Sequence, residues 1–262
     1  MALVNVQFFS EVLGVCTQIN VILPESRKGQ IGVGGVENSQ KWKVLYLLHG
    51  LSDDQTIWER RTSIERYAAD LPLAVVMPTT QRGWYTDARR GYKWFTYMTE
   101  ELPRLVHSFF ANLSDKREDT FVSGLSMGGY GALKLALSKP EQYGWAASLS
   151  GAVDIAEICE NRAATTTEFE DIFGAADLVR GSENDLFALA SKLKQSGRPV
   201  PNLYMCCGLQ DGLYWQNVRL RNHLNSLDMR VTFEEEPGDH RWEYWDMKIQ
   251  NVLKWLPLGK EK

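Results

Sequence analysis

The order of apolar segments along the 262 residues predicts an α/β fold, with a mainly parallel central sheet and helices on both faces. Short β-type runs alternate with segments of helical periodicity through most of the chain. Two runs, KVLYLLHG and LAVVMPTT, are almost continuously apolar, as expected of strands covered on both faces. Ligands bind beyond the carboxyl ends of the strands in such sheets, so the loops that leave the strands are where we search for a site.

The first half of the chain begins with two predicted strands joined around Gly14. A glycine-rich stretch at 27–40 predicts a surface loop. Residues 54–70 predict one helix, because their apolar residues recur at helical spacing, and a second helix is predicted at 96–113. The strand DTFVSGLS, a helix over 128–138 and the strand WAASLSGAV follow.

Residues 154–200 interrupt this alternation, because they are mostly helical and polar and contain no convincing strand. They begin directly after the strand WAASLSGAV, at the sheet edge where a ligand would bind. We therefore expect a helical cap inserted into a single domain that spans 1–262, with a helical layer packed on the outside as the alternative. Strands and helices alternate again after the insertion, as NLYMCCG, LYWQNVRLRNHLNSLD, RVTFEEEP and WEYWDMKIQNVLKWL.

The composition is that of an ordinary globular protein, with 44% hydrophobic and 24% charged residues. A net charge of −4 argues against nucleic acid or an anionic membrane surface as the main partner. Because no Lys or Arg precedes Arg27 to start a secretory signal, we expect a cytoplasmic protein. Cys206 and Cys207 lie in the apolar run LYMCCG, which is typical of reduced, buried cysteines. The oligomeric state stays open, with a homo-oligomer as one alternative.

Gly124, Ser126 and Gly128 form the pattern G-x-S-x-G where a predicted strand becomes a helix. A serine in this arrangement occupies a strained turn, and its hydroxyl stands clear of the backbone. The flanking glycines lack a Cβ atom and let the sharp turn form without a clash. An ordinary glycine-rich connection has the same pattern, so the assignment of a nucleophile depends on a base and an acid elsewhere.

A nucleophilic serine needs a histidine base, which in turn needs a carboxylate to hold its tautomer. His107 and His223 lie within predicted helices, and His49 precedes the serine in the chain. His240 lies in the loop after the last predicted strand and follows Ser126, as the chain order Ser, acid, His requires. His240 is therefore the predicted base.

Asp211 is the predicted acid, because it lies between the serine and the histidine, directly after an apolar strand. Asp239 is an alternative, but it is next to His240 in the chain and is badly placed to orient that ring. Asp154, after the predicted strand WAASLSGAV, and Asp228, at the end of a predicted helix, are further alternatives.

Two backbone N–H groups are predicted to face the oxygen that becomes negatively charged during reaction. One belongs to Met127, directly after the serine, and the other to Leu51, in the loop after KVLYLLHG. Alternatively, the HGL sequence only ends the strand and Leu51 has no role in the site. Six aromatic residues are predicted to contact substrate, although each also fits a packing role: Trp84, Tyr85, Trp94, Tyr214, Trp215 and Trp242.

The segments LLHGLSDD, GLSMGGYGALKLAL, CGLQDGLYWQN and PGDHRWEYW, in this order, resemble the putative-esterase family of α/β-hydrolases from about residue 5 to 257. This family includes S-formylglutathione hydrolases, feruloyl and acetyl-xylan esterases and mycolyltransferases, and the bacterial tributyrin esterases are the most similar members. The resemblance implies an α/β-hydrolase fold and a serine carboxylesterase that cleaves short-chain acyl esters through an acyl-enzyme. It also implies that the substrate is a small molecule and that no metal or organic cofactor takes part.

Two departures from the family concern the substrate. S-formylglutathione hydrolases carry a cysteine in the loop where this chain has Asp53 after Ser52, and a second glycine after the histidine that is absent here. A glutathione thioester and a carbohydrate acetyl ester are therefore kept as alternative substrates. A binding protein on a hydrolase scaffold is the non-enzymatic alternative, and the complete set of Ser, His and Asp candidates argues against it.

Overall fold

The computed structural model describes residues 1–25, 31, 36, 41–162 and 166–259, and these contain eight strands. Most of the predicted surface loop at 27–40 lies outside the described residues. The strands are β1 (Ala2–Ser10), β2 (Val15–Leu23), β3 (Lys43–Leu48), β4 (Leu73–Pro78), β5 (Thr120–Leu125), β6 (Trp145–Leu149), β7 (Asn202–Gly208) and β8 (Val231–Glu236).

The strands form one sheet in the order β1-β2-β4-β3-β5-β6-β7-β8. β1 and β2 form an antiparallel hairpin at one edge, and β2 also pairs antiparallel with β4. All the other pairs are parallel, from β4 through to β8. The predicted α/β fold with a mainly parallel sheet is confirmed, and the carboxyl ends of the parallel strands meet at one edge.

Helices cover both faces of this sheet. In chain order they are α1 (Ile57–Arg61), α2 (Ile64–Ala68), α3 (Trp94–Thr96), a π-helical turn (Tyr97–Glu101), α4 (Leu102–Phe109), α5 (Met127–Ser138), α6 (Ile155–Arg162), α7 (Glu168–Phe173), α8 (Leu186–Ser196), α9 (Tyr214–Ser226) and α10 (Trp242–Trp255). Among these helices, none is both long and apolar enough to cross a bilayer.

The core has two parts, one on each face of the sheet. Alternate residues of a strand point to opposite faces, so Val44 and Tyr46 of β3 pack on the face covered by α4, α5, α8 and α9. Leu45 and Leu47 pack on the other face, beneath α1, α2 and α10. The strand β3 is thus buried on both sides, as its continuous apolar sequence predicts.

The single helix predicted at 54–70 is wrong, because α1 and α2 are separate helices. Thr62 between them has an extended backbone, with φ −134° and ψ 175°. Its hydroxyl donates to the carbonyl of Trp58 at 2.6 Å and accepts the N–H of Ile64 at 3.1 Å. A threonine side chain that bonds to the backbone in this way competes with helical hydrogen bonding and ends the helix.

The helix predicted at 96–113 begins earlier, at Trp94, and ends at Phe109. It also contains the π-helical turn, which carries the buried carboxylate of Glu101 toward the β1–β2 hairpin. This carboxylate accepts the N–H of Glu11 at 2.8 Å and the hydroxyl of Ser10. The turn therefore supplies an acceptor for the buried hydroxyl of Ser10 and for the backbone N–H of Glu11.

The described residues of the segment 154–200 are mostly helical and contain no strand. Its helix α8 packs against α5 and α9. Phe169 and Phe173 of α7 are buried and lie 5.5 and 5.9 Å from Trp84, measured between ring centroids. The predicted cap function of this segment stays a prediction.

Candidate active site

Ser126 lies at the turn between β5 and α5, at the carboxyl edge of the sheet. Its backbone has φ 52° and ψ −116°, a conformation that residues other than glycine rarely adopt. Three backbone hydrogen bonds hold this strained residue in place: its N–H donates to the Leu149 carbonyl at 2.9 Å, and its carbonyl accepts the N–H groups of Tyr130 and Ala152, both at 3.1 Å. The end of β6 and the loop after it thereby help to fix the turn predicted from the G-x-S-x-G pattern.

The two flanking glycines are required by close backbone approach. A Cβ atom on Gly124 would lie 2.4 Å from the carbonyl oxygen of Gly128. A Cβ atom on Gly128 would lie 2.6 Å from the carbonyl oxygens of both Leu48 and His49. Side chains at these positions would separate α5 from β5 and from the end of β3.

Three predicted residues come together in a chain of hydrogen bonds. Nε2 of His240 lies 3.0 Å from the hydroxyl oxygen of Ser126, and Nδ1 lies 2.8 Å from Oδ2 of Asp211. An ionised carboxylate only accepts hydrogen bonds, so Nδ1 carries the hydrogen and Nε2 is left to accept the serine proton. This is the arrangement that activates a serine.

Asp211 is the buried end of this series of hydrogen bonds, because only 1% of its side chain is exposed. The side chain of His240 is 34% exposed. Burial raises the pKa of Asp211, but the hydrogen bond and charge of His240 and the N–H of Leu213 outweigh it, and the net pKa lies below the ordinary value. Asp211 therefore stays ionised at neutral pH and favours the orientation of His240 that faces Ser126.

The other aspartates considered as the acid have different partners. Asp154 forms an ion pair with Arg219 at 3.1 Å, and its Oδ1 accepts the N–H of Glu157 at the start of α6. Asp239 is exposed, and its carboxylate accepts the backbone N–H of His240 at 2.7 Å. Asp228 is an exposed residue in the turn after α9, with φ 53°.

The remaining histidines also lie apart from the hydrogen-bonded chain. His223 on α9 lies 3.1 Å from the hydroxyl of Ser191 and 2.9 Å from the carbonyl of Phe187. His107 lies on α4, as predicted. His49 is fully buried at the end of β3, where it contacts the loop that carries Leu51.

A cleft of about 660 Å³ lies over the serine. Leu51 lines the cleft, and Met127 is the first residue of α5, so its N–H has no partner within the helix and lies next to Ser126. Ser52 and Asp53, in the loop after β3, also line the cleft. The sequence alone gave no reason to expect the other lining residues there: Arg61 at the end of α1, Arg241 directly before α10, and Glu243 and Trp245 in the first turn of α10.

Of the aromatic residues predicted to contact substrate, Trp242 lines the cleft, where it packs edge-on against Trp245 at 5.2 Å. Trp84, Tyr85 and Trp94 are instead buried in the core. The hydroxyl of Tyr85 donates to the carbonyl of His49 at 3.0 Å, which explains its inward orientation.

Tyr214 and Trp215 begin α9 and are absent from the described residues that line the cleft. The hydroxyl of Tyr214 donates to Glu235 at 2.7 Å. The Trp215 side chain is 68% exposed and packs edge-on against Tyr214. A motif predicts the serine turn well, but the aromatic content of a loop does not reveal which rings face the solvent.

Protonation of the buried His49 is expected to make stability depend on pH. Burial lowers the pKa of His49 to about 4 from the ordinary 6.5, although the Gly50 carbonyl and Asp54 oppose this change. Between these values the unfolded chain binds more protons, so the free energy of unfolding falls as the pH drops from 6.5 toward 4. The loss is about 3 kcal/mol, since a tenfold difference in proton affinity is worth ~1.4 kcal/mol.

Urea unfolding of the wild type and of His49→Gln, at several pH values from 4 to 7, measures this contribution. Because glutamine does not titrate, the stability difference between the two proteins should shrink as the pH falls. A difference that stays constant over this range would contradict the prediction.

Comparison with known proteins identifies the chain. The family model described as putative esterase matches residues 10–256. The chain belongs to the putative esterase family. The esterase is 32% identical to an acetyl esterase of Caldicellulosiruptor saccharolyticus over 263 residues, which cover 98% of each chain.

Solved structures agree with this assignment. The serine hydrolase FphF of Staphylococcus aureus, which binds fluorophosphonates, matches the esterase with a TM-score of 0.87 and 34% identity, covering 97% of this chain and 98% of FphF. The S-formylglutathione hydrolase FrmB of the same organism matches with a TM-score of 0.85, 34% identity and the same coverage. The protein therefore has the α/β-hydrolase fold, and it is a serine esterase, a hydrolase of carboxylic esters that acts on small ester substrates.

Proposed function

We propose that the esterase hydrolyses short-chain acyl esters, of the tributyrin type, through an acyl-enzyme on Ser126. The observation that carries this proposal is the continuous hydrogen-bonded chain from Asp211 through His240 to Ser126. In this proposal Ser126 is the nucleophile, His240 the general base and acid, and Asp211 the group that orients His240 and stabilises its charged form.

In the first step Nε2 of His240 takes the hydroxyl proton while the oxygen of Ser126 bonds to the ester carbonyl carbon. The carbonyl oxygen becomes negatively charged, and the N–H groups of Leu51 and Met127 are proposed to stabilise it. When the tetrahedral intermediate collapses, the bond to the alcohol oxygen breaks. His240 then donates its proton to the leaving alcohol, and the acyl group stays on Ser126.

In the second step a water molecule replaces the alcohol. His240 removes a proton from this water as its oxygen attacks the acyl carbon, the same N–H groups hold the oxyanion, and the bond to Ser126 breaks. The proton returns to the serine oxygen, and the carboxylic acid is released. All the groups used are side chains and backbone amides of this chain.

Small acyl groups are the proposed substrates because apolar surface is limited where the cleft meets Ser126. Leu51, Leu125, Trp242 and Trp245 supply it, and charged side chains such as Arg61 and Glu243 line the rest of the cleft. Each methylene group buried against the apolar part contributes about 0.8 kcal/mol, whereas a longer chain would extend among charged groups. The 32% identity to an acetyl esterase of Caldicellulosiruptor saccharolyticus supports a small acyl group.

The proposal is tested by rapid mixing of the esterase with p-nitrophenyl acetate and p-nitrophenyl butyrate. An acyl-enzyme predicts a burst of p-nitrophenol that approaches one equivalent per active site when deacylation is the slower step. Mass spectrometry after acid quenching should find the acetyl group on the peptide that contains Ser126. Acylation of a different residue would contradict the proposed nucleophile.

A thioester is the second candidate substrate, favoured by the 34% identity to a protein named S-formylglutathione hydrolase. The same residues would act, with a thiolate in place of the alcohol as leaving group. Asp53 lines the cleft at the loop position where S-formylglutathione hydrolases carry a cysteine. A kcat/KM for S-formylglutathione above that for short acetyl and butyryl esters, including acetylated sugars, would favour the thioester.

The proposed cap at 154–200 predicts a change of acyl preference when its side chains are shortened. If Phe169 and Phe173 cover the acyl group, replacing both with alanine should move the optimum toward longer chains, because the pocket wall recedes. Rates with p-nitrophenyl esters of two to ten carbons measure this shift. An unchanged profile in a folded variant would assign the segment a packing role on Trp84 instead.

We further propose that the esterase acts in the cytoplasm, without a nucleic acid or membrane partner. Cys16, Cys159, Cys206 and Cys207 are all free thiols, which fits a reducing compartment. Fractionation of cells that produce the protein tests the location, and light scattering tests whether it forms a homo-oligomer.

A further inference from the structure

His49 is a buried titratable side chain that the proposed mechanism does not use. It follows β3 directly and has no exposed surface. Its Nδ1 lies 2.6 Å from the carbonyl oxygen of Gly50, and its Nε2 accepts the backbone N–H of Thr80 at 3.0 Å. Both ring nitrogens are thus engaged with the backbone of two loops at the edge of the sheet.

These partners determine the protonation of the ring. Because the N–H of Thr80 can only donate, Nε2 of His49 must be an unprotonated acceptor. The carbonyl of Gly50 can only accept, so Nδ1 must carry the hydrogen. The ring is therefore neutral, which agrees with the low pKa that burial gives His49.

The hydrogen bond to Gly50 bears on the proposed oxyanion site through the geometry of the peptide. The carbonyl of Gly50 and the N–H of Leu51 belong to one planar trans peptide unit and point in opposite directions. The Gly50 carbonyl points toward the His49 ring and also accepts the N–H of Asp53 at 3.2 Å. The N–H of Leu51 therefore points away from the His49 ring and from Asp53. A Cβ atom on Gly50 would lie 3.9 Å from Cβ of Ser126, so this peptide borders the nucleophile.

We propose that His49 is a positioning residue, whose Nδ1–H bond to the Gly50 carbonyl holds the Gly50–Leu51 peptide with the Leu51 N–H facing the reacting carbonyl oxygen. This inference rests on the proposed function. Without the bond, the peptide can rotate and present its carbonyl oxygen to the oxyanion, which would repel the charge that the N–H stabilises. The effect falls on the transition state and is expected in kcat rather than in KM.

The surroundings of His49 suit this role. The hydroxyl of Tyr85 donates to the His49 carbonyl at 3.0 Å, and the two rings are in contact, with centroids 5.9 Å apart. The indole N–H of Trp58 donates to the carbonyl of Leu48 at 3.0 Å. The backbone on both sides of the ring is thus held, and the carbonyl of the Gly50–Leu51 peptide has two partners, of which Nδ1 of His49 at 2.6 Å is nearer than the N–H of Asp53 at 3.2 Å.

A matched pair of variants separates positioning from simple structural support. In His49→Asn the side-chain amide NH₂ can occupy the place of Nδ1 and keep the donor to Gly50, while the Thr80 N–H loses its acceptor. In His49→Gln the amide oxygen can reach the place of Nε2 and keep the acceptor, while the donor to Gly50 is lost. Each variant loses one buried hydrogen bond, so similar losses of stability are expected.

Steady-state kinetics with p-nitrophenyl acetate should distinguish the two variants. We expect His49→Gln to lose about 10²- to 10³-fold in kcat with KM nearly unchanged, which is the effect of losing one oxyanion donor. His49→Asn should stay within about tenfold of the wild type. The affinity for an aliphatic trifluoromethyl ketone, whose adduct with serine carries an oxyanion, should fall in parallel with kcat.

Equal losses of kcat in the two variants, or losses that follow thermal stability, would overturn the positioning role. Ser126→Ala is measured alongside, because an active Ser126→Ala protein would refute the proposed function itself rather than the role of His49. A further test uses ¹⁵N-labelled histidine in the wild type, where the rings of both His240 and His49 must show hydrogen on Nδ1 and none on Nε2, and the signals missing from His49→Gln identify the His49 ring. Hydrogen on Nε2 of His49 would also overturn the proposal.

Discussion

Replacing Ser126 with alanine is expected to lower kcat for p-nitrophenyl acetate by about a million-fold, while the protein stays folded. Without the hydroxyl there is no atom to accept the acyl group, and the remaining rate comes from the oxyanion site and from binding. Steady-state assays with purified protein, together with thermal unfolding, measure the two effects separately. The burst of p-nitrophenol should vanish in the same variant.

Ser108→Ala is the matched control, because this exposed hydroxyl on α4 donates only to the carbonyl of Leu105. It should react at the wild-type rate and accept a fluorophosphonate label that Ser126→Ala does not accept. A Ser126→Ala protein that keeps more than a few per cent of wild-type turnover would show that another group is the nucleophile.

Replacing Asp211 with asparagine is expected to lower kcat by about 10⁴-fold. The asparagine amide can donate to Nδ1 of His240, which favours the tautomer with hydrogen on Nε2 and leaves no acceptor for the serine proton. The net pKa of Asp211 lies below its ordinary value, so the wild-type carboxylate remains ionised through the neutral range. Measurements of kcat near pH 8 compare the variant with a wild type whose Asp211 carboxylate is ionised.

Asp154→Asn and Asp239→Asn are controls of the same chemistry at the other candidate acids. Asp154→Asn weakens the ion pair with Arg219 and should lower stability more than rate. Asp239→Asn alters an exposed side chain and should have a small effect. If either variant lost more activity than Asp211→Asn, the acid would be misassigned.

The sheet could be predicted from the sequence because its strands are buried on both faces. Nearly continuous apolar runs such as Lys43–Leu48 and Leu73–Pro78 are typical of central strands that are covered on both faces. The break between α1 and α2 could not be predicted in the same way. It depends on the Thr62 side chain bonding to the backbone on both sides, and periodicity in the apolar residues continues across it.

The proposed catalytic residues could be selected because chemistry restricts them to a few side chains in a fixed chain order. The aromatic residues have no such restriction, since a tryptophan in a loop fits a core as well as a cleft. Trp84 packs between Tyr130 and the phenylalanines of α7, contacts that connect segments distant in the chain. Arg61, at the end of α1, and Arg241, directly before α10, reach the cleft only because the sheet brings these two segments together.

The close approach of backbone around Gly124 and Gly128 determines where this protein tolerates change. If all twenty residues are tried at these two positions, the active variants should carry almost only glycine. Even a methyl group there would clash with backbone carbonyl oxygens of α5 and of the end of β3, which cannot move aside as a flexible side chain can. The loop of Ser52 and Asp53 and the start of α10 instead present side chains to the cleft at the same serine. Directed evolution of new acyl or alcohol preferences should therefore gain its variants from these two segments and leave the serine turn untouched.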